Sequence, residues 1–532
     1  MSTPLKRAVT ASVALGFSAL VGCGTGGLPQ VMDPTDVRPA SGAPRITRIR
    51  DAGTAMIPRV GALEAVPDGA AGPGELLVIE GAGFGRQPTV TVGGRPAEVT
   101  ARVAGDGVIV RVPASAATGL VDVSVTTSGG VARLATTIRR LAIAVFDEHV
   151  RFAAIGKDAI VPLPSTLSLP GARQVRVDST GGIALVLCDA AELSSLSVLD
   201  LGRTEPSVLG TLSLTHRASA IAVASLAPRV AVVGDGKVTV IDTSTLRRPV
   251  LFDAAALPRE VRGVRAAELS PDGRVLAVLL GEGNRLVALD LQKPTAPVLL
   301  STVEVLPGER QSLVRDLAFG PDGQTLWIVS GSSAETHPQT IPTRVTAARL
   351  LAAYTENAAE GETAGHPIDH LRRQLAVWKT QVVNGAGAPL AIVVGQPPEQ
   401  QGSAIRTTPE AATVFVSTVK HSLLDLKAAN VDLARVKKAM TANDVGMIAR
   451  AELSSAGGPV ATTAELLGSF VVQAAEKRAV ALAIHATDGA LEVGLDDIVL
   501  EGEKSARFVG LGTIDPKHVH PPFAFGDLAI QP

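Results

Sequence analysis

Apolar residues in this chain come in short runs that are separated by turn-forming residues. Between residues 44 and 140 most runs alternate apolar and polar positions, as a strand buried on one face does. Gly93-Gly94 stands between two of the runs, as in a β-hairpin. Many short strands separated by such turns predict a β-sandwich of roughly 100 residues. The strands are expected at residues 45–49, 76–80, 89–92, 97–99, 108–112 and 121–125.

Several of these motifs resemble those of the IPT/TIG family. The resemblance covers most of residues 44–140 and rests on the motifs Pro44-x-Ile46, Gly81-x-Gly83-Phe84-Gly85, Val92-Gly93-Gly94, Val112-Pro113 and Val123-x-Val125. It implies an immunoglobulin-like fold, and members of the family are mostly spacers or interaction modules of extracellular proteins. The connection over residues 51–74 is longer than in the family. The fold by itself identifies no ligand.

A repeat begins after residue 140. A short strand that ends in Leu or Ile followed by Asp recurs, and its aspartates are Asp200, Asp242, Asp290 and Asp425. They are 42, 48 and 135 residues apart, and the last interval is three times 45. Four strands in 42 to 48 residues is the period of a propeller blade. The predicted fold is therefore all-β, with an N-terminal immunoglobulin-like sandwich followed by a six- or seven-bladed β-propeller over residues 141–532.

One turn of this repeat resembles known propeller families. Ser270-Pro271-Asp272-Gly273, followed by an apolar strand, is similar to the YVTN or WD40-like propellers of bacteria, although no Trp-Asp dipeptide occurs. In these families the repeated aspartate binds backbone or a neighbouring loop, so the resemblance implies a structural role for it. We expect the two ends of the segment to share a blade. Blades are predicted near 172–215, 216–260, 261–310 and 400–440, and insertions near 331–372 and 427–465.

The first 22 residues have the pattern of an export signal. Lys6 and Arg7 precede the apolar stretch Ala8–Leu20, which is too short to span a bilayer as a helix. The following Leu20-Val21-Gly22-Cys23 resembles the lipobox of bacterial lipoproteins. The resemblance implies cleavage before Cys23 and lipidation of its thiol. The alternative is an ordinary secretory signal with a chance cysteine.

The resemblance to lipoproteins also bears on location. Residue 24 is Gly rather than Asp, which implies transfer to the outer membrane, on its periplasmic face or at the cell surface. Residues 23–43 comprise the lipidated cysteine and a segment rich in Gly, Pro, Asp and Thr, which predicts a flexible tether.

Composition narrows the classes of partner. The chain has 49 Lys and Arg against 51 Asp and Glu, so its net charge of −2 argues against nucleic acid. Aromatic residues make up only 3%, which favours a protein partner over a polysaccharide. Two cysteines exclude a disulfide framework and a four-cysteine metal site. Cys188 ends an apolar run, and we expect it to be buried.

Two pairs of histidines are candidate metal ligands. His366 and His370 stand with Asp369 in a polar segment, whereas His518 and His520 would lie on one face of a strand. A solvated loop and a polar strand end are the simpler interpretations of these pairs, and we adopt them.

The sequence gives little indication of acid–base catalysis. Asp496-Asp497 could form a carboxylate pair, but adjacent residues of a strand point to opposite faces, and a solvated turn is the simpler interpretation. No Gly-x-Ser-x-Gly, His-Glu-x-x-His or phosphate-binding lysine motif occurs. We therefore predict no catalytic residue and no cofactor.

These features together predict an envelope protein that is not an enzyme. The lipid anchor would hold it at a membrane, and a propeller face would bind a protein partner or, less favourably, a polysaccharide. One alternative is a metal-dependent propeller hydrolase similar to lactonases, which needs carboxylates or histidines from several blades to converge. A second alternative is a structural subunit of an outer-membrane secretion, motility or export machine. The sequence leaves the partner and the oligomeric state open.

Overall fold

The computed structural model describes the chain most fully between residues 69 and 304. The described residues are 30–33, 42–55, 57, 61–62, 69–156, 159–189, 193–203, 205–234, 236–244, 249–259, 261–280, 285–304, 312–319, 325–332, 377–381, 400–408, 411–420, 447–451, 460–461, 466–473, 478–487, 490–499, 506–514 and 526–532.

The first unit is a sandwich. Its strands are β1 (Gln30–Met32), β2 (Arg45–Asp51), β3 (Gly61–Ala62), β4 (Leu76–Ala82), β5 (Thr89–Val92), β6 (Arg95–Val103), β7 (Gly107–Arg111), β8 (Gly119–Thr127) and β9 (Gly130–Ile138). They pair in the order β2-β4-β7-β6-β5-β8-β9, and β1 and β3 join the sheet beside β6. Since β6 pairs with both β7 and β5, the two layers form one folded sheet.

Alternating side chains build the core of this sandwich. Val121, Val123 and Val125 of β8 are buried, whereas Asp122 between them is exposed. Phe84 lies in the turn after β4 and is 1% exposed. Burying such a side chain contributes about 1.5–3 kcal/mol, so the period of two read from the sequence reflects the inward face of each strand.

The second unit consists of seven further sheets among the described residues. Their strands are β10 (Arg140–Phe146), β11 (His149–Ile155), β12 (Ile160–Ser168), β13 (Ala172–Val177), β14 (Ile183–Asp189), β15 (Ser194–Asp200), β16 (Ser207–Ser213), β17 (Ala220–Val223), β18 (Arg229–Gly234), β19 (Lys237–Asp242), β20 (Val250–Leu251), β21 (Ala255–Ala256), β22 (Val264–Leu269), β23 (Val275–Leu280), β24 (Arg285–Asp290), β25 (Val298–Glu304), β26 (Ser312–Phe319), β27 (Thr325–Ser332), β28 (Val377–Gln381), β29 (Gln400–Thr408), β30 (Ala411–Lys420), β31 (Met447–Ala451), β32 (Val460–Ala461), β33 (Leu466–Gln473), β34 (Arg478–Thr487), β35 (Ala490–Val499), β36 (Ala506–Ile514) and β37 (Asp527–Ile530).

These sheets are the blades of a seven-bladed propeller. The first blade combines β37 from the end of the chain with β10, β11 and β12, and Ala142 pairs with Ile530 where the two ends meet. The innermost strands contact one another in the cyclic order β37, β13, β17, β22, β26, β29, β33 and back to β37. The predicted sharing of a blade by the two ends is therefore what closes the ring.

Neighbouring blades cover both faces of the middle strands. Leu185 and Val198 of the second blade pack with Val230 and Ile241 of the third in one apolar cluster. All six residues of β23 are buried. A strand covered on both faces needs no polar side, which is why these strands appear in the sequence as continuous apolar runs.

The structure contains strands within two segments that the sequence analysis assigned to a tether and to an insertion. Gln30–Met32, within the predicted tether, forms a short strand that pairs with β3 and β6, and its Val31 is 3% exposed. β31 and β32 lie within the predicted insertion 427–465 and are the outer strands of the sixth blade. Met447 pairs with Thr418 there, so β31 is the strand next to β30, and the Leu423–Leu426 run that carries Asp425 lies outside the described residues.

In the described part of the chain, no helix is long and apolar enough to cross a membrane.

Candidate interaction site on the loop face of the propeller

The propeller has two faces that differ in their connections. We define the turn face by the turns that join the first strand of a blade to the second and the third to the fourth; Asp178–Gly182 is an example. We define the loop face by the hairpins that join the second strand to the third and by the links between blades. Because strands within a blade are antiparallel, these two sets of connections lie at opposite ends of the strands.

The sandwich docks on the turn face of the first two blades. The Thr54 hydroxyl donates a hydrogen bond to Oδ1 of Asp200 at 2.7 Å, and both side chains are buried. Nη2 of Arg139 donates to the carbonyl oxygen of Arg203 at 2.9 Å. A Cβ atom added at Gly74 would lie only 2.2 Å from the carbonyl oxygen of Thr180. The two backbones are in contact here because glycine has no Cβ atom.

The side chain of Gln531, near the end of the chain, is buried at the face of the propeller on which the sandwich docks. Its Nε2 donates to the carbonyl oxygen of Gly181 at 2.7 Å, and its Oε1 accepts from the Leu141 amide at 2.8 Å. The side chain is 1% exposed and lies against Gly72 of the sandwich. These two hydrogen bonds join the end of the chain to other segments of the propeller, and Gly72 of the sandwich packs against the side chain that they fix.

The repeated aspartates lie on the same turn face. Asp200, Asp242 and Asp290 each end the third strand of a blade, and each Oδ1 accepts the backbone N–H of the residue two positions later. This is an Asx turn, which closes the connection to the outer strand. In the second blade the same carboxylate also receives Thr54, so one turn serves both the blade and the docked sandwich.

A second recurrent turn joins the first strand of a blade to the second. It carries one hydroxyl and one carboxylate side chain, and their order along the chain differs between blades. In the second blade, the Thr180 hydroxyl donates to Asp178 at 2.6 Å, and Asp178 accepts the Ile183 amide. In the fourth blade, the Ser270 hydroxyl donates to Asp272 at 2.5 Å and accepts the Val275 amide. One hydroxyl and one carboxylate are present in both, in opposite order. Burial raises the pKa of Asp178, although its hydrogen bonds oppose the shift.

The loop face contains a pocket of about 550 Å³ between the third and fourth blades. Ser219, just before β17, and Gly236, in the β18–β19 hairpin, form one side of it. Residues 257–259 and 261–264, in the link to β22, form the other side. The pocket therefore opens where two inner strands begin, on the face opposite the docked sandwich.

Arginines give this pocket its charge. Arg259 and Arg262 line it, and both are exposed. Arg265 follows the lining residue Val264; it is half-buried, and burial lowers the pKa of its guanidinium. Among the described residues the pocket lining contains no acidic side chain.

Most of the residues that the sequence singled out lie outside the described part of the chain. These are Cys23, His366, His370, Asp425, His518 and His520. Cys188 is buried at 6% exposure, and burial raises the pKa of its thiol. No group of three or more possible metal ligands occurs among the described residues.

The structure places the carboxylate pair of the sequence analysis inside a blade. Asp496 and Asp497 both belong to β35; Asp496 is fully buried, and Asp497 forms an ion pair with Arg478. The expected solvated turn at this position is therefore wrong. The strand continues through the acids because Arg478 of the neighbouring strand neutralises Asp497.

Sequence reasoning missed the arginines of the pocket. Arg259, Arg262 and Arg265 recur every third residue, but the predicted boundary between two blades fell at residue 260, inside this segment. The available signal was a basic triplet in a link between blades. Only the packing of the link beside Ser219 and Gly236 shows that the triplet borders a pocket.

Comparison with protein families identifies the sandwich. Residues 67–138 match the IPT/TIG domain family. This confirms the predicted domain type, and the match covers the strands from β4 to β9. No curated protein matches the chain.

Solved structures with similar architecture share little sequence with this chain. A Lactobacillus plantarum protein is 12% identical, with a TM-score of 0.48 over 74% of this chain and 99% of its own. A candidate 6-phosphogluconolactonase from Bacteroides fragilis is 11% identical, with a TM-score of 0.44 over 71% and 98%. The dihydro-heme d1 dehydrogenase NirN is 13% identical, with a TM-score of 0.38 over 71% and 75%.

Proposed function

We propose that this chain is a lipid-anchored envelope protein that presents the loop face of its propeller to a protein partner. The observation that carries the proposal is the docking of the IPT/TIG sandwich on the turn face, through Thr54 and Asp200. The proposed anchor at Cys23 precedes the sandwich in the chain. An anchor attached on that side leaves the loop face directed away from the attachment.

The fixed junction suits display better than a flexible linker does. The Thr54 hydroxyl donates to the buried Asp200, and the Arg140 guanidinium donates to the carbonyl oxygens of Ala114 and Ala116. These bonds cross the junction, so the sandwich and the propeller move together. A rigid spacer raises the loop face to a constant height and orientation. Preorganisation of this kind lowers the entropy cost of binding a partner.

Site-specific photocrosslinking in the native envelope tests which face binds. A photoreactive residue at Lys237, exposed in the β18–β19 hairpin of the loop face, should yield a discrete crosslinked protein. The matched control is Leu226, which is 77% exposed in a turn of the same blade on the opposite face. A crosslink from Leu226 with none from Lys237 would assign the partner to the turn face and overturn the proposal.

Two further measurements test the anchor and the absence of catalysis. Cys23→Ser should abolish acyl labelling and release the protein from the membrane fraction, because one or more buried acyl chains supply the attachment.

Chelator treatment should leave the melting temperature of the purified chain unchanged. A stoichiometric metal whose removal lowers the melting temperature would favour the metal-dependent hydrolase instead.

A further inference from the structure

We propose that the arginine-lined pocket of the loop face binds an acidic segment of the partner protein. This inference rests on the proposed function, since it names the chemistry of the partner at that face. The pocket of about 550 Å³ lies within the size range of small-ligand sites and accommodates a few side chains. Among the described residues that line it, the charged ones are Arg259 and Arg262, both cations.

Guanidinium chemistry favours carboxylates as the bound groups. Arginine has five N–H donors in a planar fork, which pairs with a carboxylate through two parallel hydrogen bonds. Arg259 and Arg262 are three residues apart in one link, so they offer two such forks on one side of the pocket. Counting by sequence, segments 235–237 and 257–265 carry Lys237, Arg259, Arg262 and Arg265 against Asp235 and Glu260, which leaves a net charge of +2.

A comparison between blades shows how the arginine equivalent to Arg265 is used in the second blade. Arg173 and Arg265 occupy the same bulge of the inner strand, between Ala172 and Gln174 and between Val264 and Ala266. Arg173 forms an ion pair with Asp189 at 2.8 Å and donates to the carbonyl oxygens of Ala218 and Ser219. Its charge is thereby satisfied within the propeller.

The sequence of the fourth blade differs from that of the second at the position of this acid. Ala172 pairs with Cys188, and Val264 pairs with Leu280; in the sequence, Asp189 follows the first of these partners and Gly281 follows the second. Arg265 forms no ion pair or hydrogen bond with the described residues. Arg265 itself does not line the pocket, so the attraction for an anionic ligand depends on Arg259 and Arg262.

The test measures binding of a labelled hexaglutamate peptide to the purified full chain by fluorescence anisotropy at low ionic strength. We expect saturable binding that weakens as salt is added, because exposed charges are screened. Arg259→Gln/Arg262→Gln should weaken binding about tenfold, since each exposed pair contributes up to roughly 1 kcal/mol.

The matched control is Arg133→Gln, which removes one exposed arginine from β9 of the sandwich. It should leave the affinity within twofold of that of the unmodified chain. Equal losses at Arg133 and at the pocket would show non-specific charge attraction and overturn the proposal, as would unchanged binding by the double variant. Inorganic phosphate that competes as well as the peptide would assign a small-anion site and overturn the acidic-segment assignment.

The outcome separates this inference from the proposed function. If the Lys237 crosslink persists in the Arg259→Gln/Arg262→Gln variant at full yield, the loop face binds a partner by other contacts and only the pocket assignment fails. If the peptide binds but Lys237 gives no crosslink in the envelope, the display function fails and the pocket remains an acidic-peptide site.

Discussion

Replacing Thr54 with valine tests how strongly the sandwich is held on the propeller. Valine keeps the shape of the side chain and removes only the hydroxyl that donates to Asp200 at 2.7 Å. Packing of the γ-methyl group against Gly202 is preserved. The substitution therefore isolates one hydrogen bond at the junction.

The expected loss in free energy of unfolding is about 2 kcal/mol. A buried hydrogen bond to a charged group contributes about 1.5–3 kcal/mol. Asp200 is 1% exposed, so solvent cannot replace the lost donor. It retains the Gly202 amide at 3.0 Å and Arg203 at 3.2 Å, which limits the cost to the middle of that range.

Tryptophan fluorescence in a denaturant titration provides the assay. The two tryptophans, Trp327 and Trp378, both lie in the fifth blade, on β27 and β28. The fluorescence change therefore reports unfolding of the propeller, to which a docked sandwich contributes stability.

Thr243→Val is the matched control. Thr243 is 0% exposed, and its hydroxyl has no hydrogen-bond partner among the described residues. It follows Asp242 as Leu201 follows Asp200, so valine there should be neutral or stabilising by about 1 kcal/mol. An equal loss in both variants, or no loss in Thr54→Val, would refute the reasoning about the junction.

Three further predictions concern the second blade. The double variant Asp178→Ser/Thr180→Asp reproduces the polar order of the fourth blade, so it should be more stable than the sum of the two single variants by about 1–3 kcal/mol in a double-mutant cycle; additive losses would contradict this. Because burial raises the pKa of Asp178, its stabilising contribution is complete below roughly pH 4 and is lost as the pH rises through the raised pKa, so Asp178→Asn should flatten the pH dependence of unfolding, and an unchanged profile would refute the assignment. In the Cys23→Ser variant, Cys188 is the only thiol and should react with an aromatic disulfide reagent far more slowly in the native than in the denatured chain; equal rates would show that it is accessible.

The sequence by itself determined the classes of fold. The period of two in β8 and the uninterrupted apolar runs of β14 and β23 record which faces are covered, and this information is local. The turn Ser270–Gly273 and the aspartates Asp200, Asp242 and Asp290 are also local, since each bonds within its own turn. Hydrogen bonds within a single turn can therefore be predicted from residue spacing alone.

Tertiary structure decided the features on which the proposals depend. The bond between Thr54 and Asp200 joins residues 146 positions apart, and that between Leu141 and Gln531 joins residues 390 apart. The pocket forms only when Ser219 and Gly236 approach the link that carries Arg259 and Arg262. Contacts between distant segments are selected by the free energy of burying both segments together. No local periodicity of the sequence reports such contacts.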